Sequence, residues 1–188
     1  MSETIIDALD FVIPSIIGVN SLRSSCGDSP YQKLLLPDYA LTWALRDRQP
    51  HECVRDVTAE MVATWEAAGI DWQQRAVINL KVSSRVLWTH RKLRQDGSIG
   101  MVLMMHDDGF GSSRVLLWGY LQQHFPAGYY VAIPDRRIGI VTPRNLSHSE
   151  RQEMQEMIES YYNAASIPIG LDLFTPEDLI PKHDGGEN

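Results

Sequence analysis

The sequence predicts an α+β fold: a mostly antiparallel sheet of about four to five strands with helices packed on one face. Three observations carry that expectation. Gln95-Asp96-Gly97-Ser98 separates two strand-like stretches, 85–94 and 99–107, and Asp-Gly favours a tight hairpin because glycine accepts the left-handed conformation. Residues 129–133 and 138–141 form a second such pair about Pro134-Asp135-Arg136-Arg137. Ser147 and Glu150 stand at capping-box spacing before Met154, Met157, Ile158, Tyr161, Tyr162 and Ala165, a full apolar stripe of helical period. Strands joined by tight turns are antiparallel, which argues against a doubly wound nucleotide fold.

Taken in order, Ile5, Ile6, Leu9, Val12, Ile13, Ile16 and Ile17 recur at helical spacing, with Pro14 placed to kink or end the helix. The Ser-, Gly- and Asp-rich stretch 20–30 reads as a loop. Tyr39, Leu41, Trp43 and Leu45 then alternate with small residues, as in a strand over 39–46. Asp56 or Thr58 caps a helix carrying Met61, Val62 and Trp65. Gly69 ends it, and Asp71 caps a second helix through Trp72, Ala76, Val77 and Leu80. After the first hairpin comes a helix over 112–123, then the second hairpin and the capped helix. Thr175-Pro176-Glu177-Asp178 opens one more short helix.

The 188 residues are 44% hydrophobic and 22% charged, which excludes disorder, collagen and coiled-coil rods. One domain over 1–182 is expected, with a helix and loop in 1–30 and a polar tail at 183–188. The net charge of −7 argues against a dedicated nucleic-acid binder. The charge is uneven, however. Residues 71–146 hold 10 basic and 5 acidic side chains, whereas 147–188 hold 2 and 9. Cys26 and Cys53 have no ligand spacing and fit reduced thiols. Glu3, Asp7 and Asp10 replace the basic start of a secretory signal, and Gln122, Gln123, His124, Pro126 and Gly128 interrupt the uncharged stretch 115–134. The expectation is a cytoplasmic protein with no membrane span.

The most suggestive chemistry lies in His106-Asp107-Asp108-Gly109-Phe110-Gly111-Ser112-Ser113-Arg114. It runs from a strand end through two glycines into a helix start, where unpaired N–H groups can hold a phosphate or carboxylate. Asp107, Asp108, Gly109, Gly111, Ser112, Ser113 and Arg114, with Arg136 of the following turn, are the candidate ligand-binding residues. The plainer reading is a loop whose aspartates and glycines favour the turn and whose serines cap a helix. Residues 85–94 add Arg85, Arg91, Lys92 and Arg94 around Trp88 and His90. That pattern suits a cationic face for RNA or acidic protein, or a solvated strand edge defended by charge. The histidines His51, His90, His106, His124, His148 and His183 stand in no catalytic or metal motif, and only His106, before the acidic loop, is a candidate acid or base. The tryptophans fall on apolar faces and read as core.

Asp108-Gly109-Phe110-Gly111-Ser112-Ser113-Arg114-Val115-Leu116-Leu117 resembles the Asp-Gly-aromatic-x-x-Ser-Arg-x-Leu pattern of the YtpQ-like bacterial proteins, a family of unknown function. Ile13-Pro14-Ser15-Ile16, the strand at 36–47, the helix pair 57–80 ending in Asn79-Leu80, and Ala132-Ile133-Pro134-Asp135-Arg136 are similar to further pieces of that family in the same order. At the turn the family tends to place His and Asp, where this chain has Asp135, Arg136 and Arg137. The resemblance implies a bacterial cytoplasmic α+β domain and transfers no catalytic residue.

Three functions are therefore open. A non-catalytic module would bind a partner protein or small anionic ligand through the face of 107–114 and 134–137, without a cofactor. An enzyme acting on a phosphorylated or carboxylated substrate would hold a divalent ion on Asp107 and Asp108, clamp the anion with Arg114 or Arg136, and use His106 as acid or base. A homodimer would form through an exposed strand edge.

Overall fold

The strands of the protein fall into two antiparallel sheets of four, seen in a computed structural model that describes residues 5–20, 28–46 and 55–182. Cys26, Cys53, His51, His183 and the polar tail lie outside the described residues. A short helix α1 (Ile5–Ala8) and a 3₁₀ turn (Leu9–Phe11) lead into β1 (Val12–Gly18), followed by β2 (Tyr31–Lys33), β3 (Tyr39–Leu45) and β4 (Arg55–Asp56). β3 is central, with β1 on one side and β2 and β4 on the other.

β1 corrects the expected helix over 5–17. Val12 through Ile16 are all buried, so the alternation that betrays a strand is hidden and the apolar run mimics a helical stripe. Pro14 cannot donate to a ladder, but β1 pairs only with β3, and an edge strand tolerates that.

Helices α2 (Ala59–Ala67) and α3 (Trp72–Ser83) follow, as the capping residues require. Thr58 Oγ1 accepts the Met61 N–H at 3.3 Å and Asp71 Oδ1 accepts that of Gln74 at 3.0 Å. Between them Gly69 adopts φ +71°, open to it at little cost. These helices bury Trp65, Trp72 and Ala76 against Val12, Trp43 and Leu45 of the first sheet.

The second sheet has the order β5 (His90–Leu93), β6 (Ile99–Met105), β8 (Ile138–Pro143), β7 (Tyr129–Asp135), so both expected hairpins form. Helix α5 (His148–Ala164) begins with the Ser147–Glu150 capping box and presses Met154 and Ile158 on Leu103, Ala132 and Ile140. The opposite face joins the first sheet. Val102, Met104, Val131, Ile133 and Val141 share one core with Ile16, Leu34 and Tyr39, closed by Phe174 and Leu179.

The helix expected over 112–123 is broken into a 3₁₀ turn (Ser112–Leu116) and α4 (Trp118–His124). Val115, Leu117 and Leu121 are all buried. On one regular helix, at about 100° per residue, Val115 and Leu117 would point to nearly opposite sides, and the break at Leu117 lets both face inward. The chain after α5 runs along both sheets. Phe174 and Val131 exchange backbone hydrogen bonds at 2.8 and 3.0 Å on the outer edge of β7, and Lys182 N–H reaches Lys33 O of β2 at 2.7 Å. No helix among the described residues is long and apolar enough to cross a membrane.

Candidate functional site

β6 ends at Met105, and the chain turns through Asp107 and Asp108 before Gly109, which takes φ +75°. Asp108 Oδ1 accepts the Phe110 N–H at 3.0 Å, the local bond that favours aspartate in such turns. The same carboxylate meets Arg114 two-pronged, with Nη2 to Oδ2 at 2.8 Å and Nη1 to Oδ1 at 3.1 Å. Arg114 also donates to the carbonyls of Phe110 at 3.0 Å and Ser83 at 3.1 Å. Its side chain is 1% exposed and that of Asp108 19%. Burial pushes the Asp108 carboxyl up, but the Arg114 hydrogen bonds and charge outweigh it and hold the group below its ordinary value.

The loop and the β7–β8 turn meet. Ser112 donates both its Oγ–H and its N–H to the Arg136 carbonyl. Gly111 lies so close to the carbonyls of Met104 and Arg137 that a Cβ there would overlap both. The Arg136 guanidinium sits 5.5 Å from the centre of the buried Phe110 ring. Beside it, Arg137 is 58% exposed and spans Asp135, whose Oδ1 accepts the Arg137 N–H at 2.7 Å.

All eight candidate residues are thus brought together, but at different depths. Gly111, Ser112, Ser113 and Arg114 are buried, Asp108, Gly109 and Arg136 are partly exposed, and Asp107 is exposed. The helix start expected here is not a regular α-helix. The segment is a short 3₁₀ turn, and its first N–H is spent on Arg136 O. The expected divalent pair loses Asp108 to Arg114, and Arg114 is in turn unavailable as a substrate clamp. Among the described residues no group of three or more His, Cys, Asp or Glu gathers as a metal site.

His106 Nε2 lies 2.8 Å from Val86 O, so Nε2 carries the proton and Nδ1 the lone pair. Burial, then the charge of Arg114, lowers its pKa and favours the neutral ring. Sequence reasoning missed the partners supplied from afar: the carbonyls of Ser83, Val86 and Met104. One signal was present. Gly139 sits inside the apolar run of β8, where glycine marks a close approach, and a Cβ there would press on Gly111 O and Val115.

A second concavity, about 540 Å³, opens between the β5–β6 hairpin and α5. Leu93, Met101, Met154 and Met157 line it. Its rim carries the pairs Lys92–Glu153 at 2.5 Å and Arg94–Glu150 at 2.6 Å. The Arg94 hydrogen bonds, then the Ser147 N–H, lower the Glu150 carboxyl to about 2.

No protein-family model matches the chain, and comparison with curated proteins and with solved structures finds no match. The resemblance to the YtpQ-like proteins rests on the motif residues alone.

Proposed function

We propose that the chain is a non-catalytic binding module that recognises an anionic group, borne by a small ligand or a partner protein, at the rim of the loop–turn junction. The observation that carries this reading is the internal commitment of Asp108 and Arg114. Both oxygens of the carboxylate face Arg114, and both terminal guanidinium nitrogens are bonded to protein acceptors. Groups that would hold a metal or clamp a substrate are therefore built into the scaffold. Arg136 and Arg137 lie on the turn that Ser112 ties to this loop, Arg136 partly exposed and Arg137 exposed. The Phe110 ring holds Arg136 in place, and an arginine already oriented loses less freedom when it meets a carboxylate or phosphate.

Thermal unfolding with phosphate, citrate and a polyglutamate peptide tests the proposal. A ligand at about 100 times its Kd adds about 2.7 kcal/mol of stability. We expect stabilisation of the wild type that disappears when Arg136→Ala and Arg137→Ala are combined. A response to phosphate or citrate assigns a small ligand, and a response to the peptide alone assigns a protein partner. Stabilisation that survives the double substitution refutes the site. A Mg²⁺ effect lost in Asp107→Asn would instead favour the metal-dependent enzyme.

A further inference from the structure

The two sheets treat their edges differently. The outer edge of β7 is covered by residues 168–174 and that of β2 by 180–182, while β1 carries Pro14. β5 ends the second sheet with all four residues exposed, and nothing among the described residues pairs with its outer side. Val131 spends both its backbone groups on Phe174, and carried through the registers of β7, β8, β6 and β5 that alternation turns the groups of His90 and Lys92 toward β6 and leaves those of Arg91 pointing outward.

Charge and shape select what could pair there. Residues 85–94 contain Arg85, Arg91, Lys92 and Arg94 and no acidic residue. Lys92 and Arg94 are matched by α5, whereas Arg85 and Arg91 have no carboxylate partner among the described residues. On the α5 side the strand borders the groove of Leu93, Met101, Met154 and Met157, and methionines adapt to apolar side chains of varied shape. A second copy joined through β5 would set Arg91 and Lys92 against the same cations, which opposes pairing.

We infer that β5 is a docking edge for an extended acidic segment of a partner protein, added as a fifth strand. Its alternate residues are apolar on the side of the methionine groove and acidic on the side of Arg91. The main chain supplies affinity and the alternating side chains supply selectivity. This surface is separate from the Arg136–Arg137 rim and does not depend on it.

The test is fluorescence anisotropy with a labelled octapeptide of alternating glutamate and valine. Binding should weaken about tenfold in Arg91→Glu, as expected for a lost and reversed charge-assisted contact. It should also weaken when alternate amides of the peptide are N-methylated, which removes main-chain hydrogen bonds and leaves the protein unaltered, and it should be unchanged in Arg137→Ala. Circular dichroism of each variant verifies folding. Absence of binding by the folded wild type, or binding indifferent to Arg91→Glu, overturns the inference. So would equal affinity for a lysine–valine octapeptide, tighter binding of oligouridylate, or sedimentation of the protein as a β5-dependent dimer.

Discussion

Truncating Arg114 would leave the Asp108 carboxylate and the carbonyls of Ser83 and Phe110 without their donor, in a place largely closed to water. Breaking a buried pair from one side typically costs about 3–5 kcal/mol, and urea unfolding of Arg114→Ala should show a loss of that order. Arg137→Ala, at an exposed turn, should stay within about 0.5 kcal/mol. The acid dependence has a definite sign. The folded protein holds the Asp108 carboxyl below its ordinary 3.8, so the pair stabilises fully above that value and weakens as pH falls through the lower folded value. In Arg114→Ala that part of the acid sensitivity should vanish. Gly111→Ala should be severe in the same assay, since its neighbours are backbone on both sides. The loop announced itself in the sequence through its aspartates, glycines and arginine. What stayed hidden was the direction of its polar groups, because Ser83, Val86, Met104 and Arg136 reach it from other elements.

At the scale of elements, the interactions that were readable are those closed within a few residues. The Thr58, Asp71 and Ser147 caps, the Gly97 hairpin and the Thr175 box each satisfy backbone groups locally. β1 and the segment 112–123 were misread for a common reason: their geometry is set by burial against distant strands. Helix α5 offers a separable test. Ser147→Ala should cost about 1 kcal/mol, as lost caps do. Glu150 also receives Arg94, and its carboxyl, at about 2 against an ordinary 4.5, favours folding above 4.5 and loses that effect as pH drops toward 2. In Arg94→Met the Glu150 titration, followed by carboxyl-carbon NMR, should move up toward 4.5; an unmoved midpoint would show that the cap alone sets it.

For the whole molecule, one apolar core shared by two sheets means that neither sheet keeps its inner face covered alone. Trp43, Trp65 and Trp72 report from the first sheet and its helices. Their fluorescence should fall together with far-ultraviolet circular dichroism in a single transition, and two separated transitions would contradict the shared core. Phe174→Ala should lower stability by about 3–5 kcal/mol, the range for large aromatic truncations in cores. The α+β class and antiparallel pairing were legible because hairpins advertise themselves. The division into two sheets was not, since nothing local tells β3 and β6 that they belong to different ladders.

The strap formed by residues 168–182 gives this architecture a timetable. Lys33 waits for Lys182 and Val131 for Phe174, so strands made early on the ribosome are completed only by residues made late. A nascent chain must hold β7 with a bare edge until residues 168–174 have cleared the exit tunnel, and β2 until residues 180–182 have. Such long-separation contacts slow folding and lengthen the exposure of pairing-competent edges, which makes the emergence of the strap the moment when the β2 and β7 edges are closed.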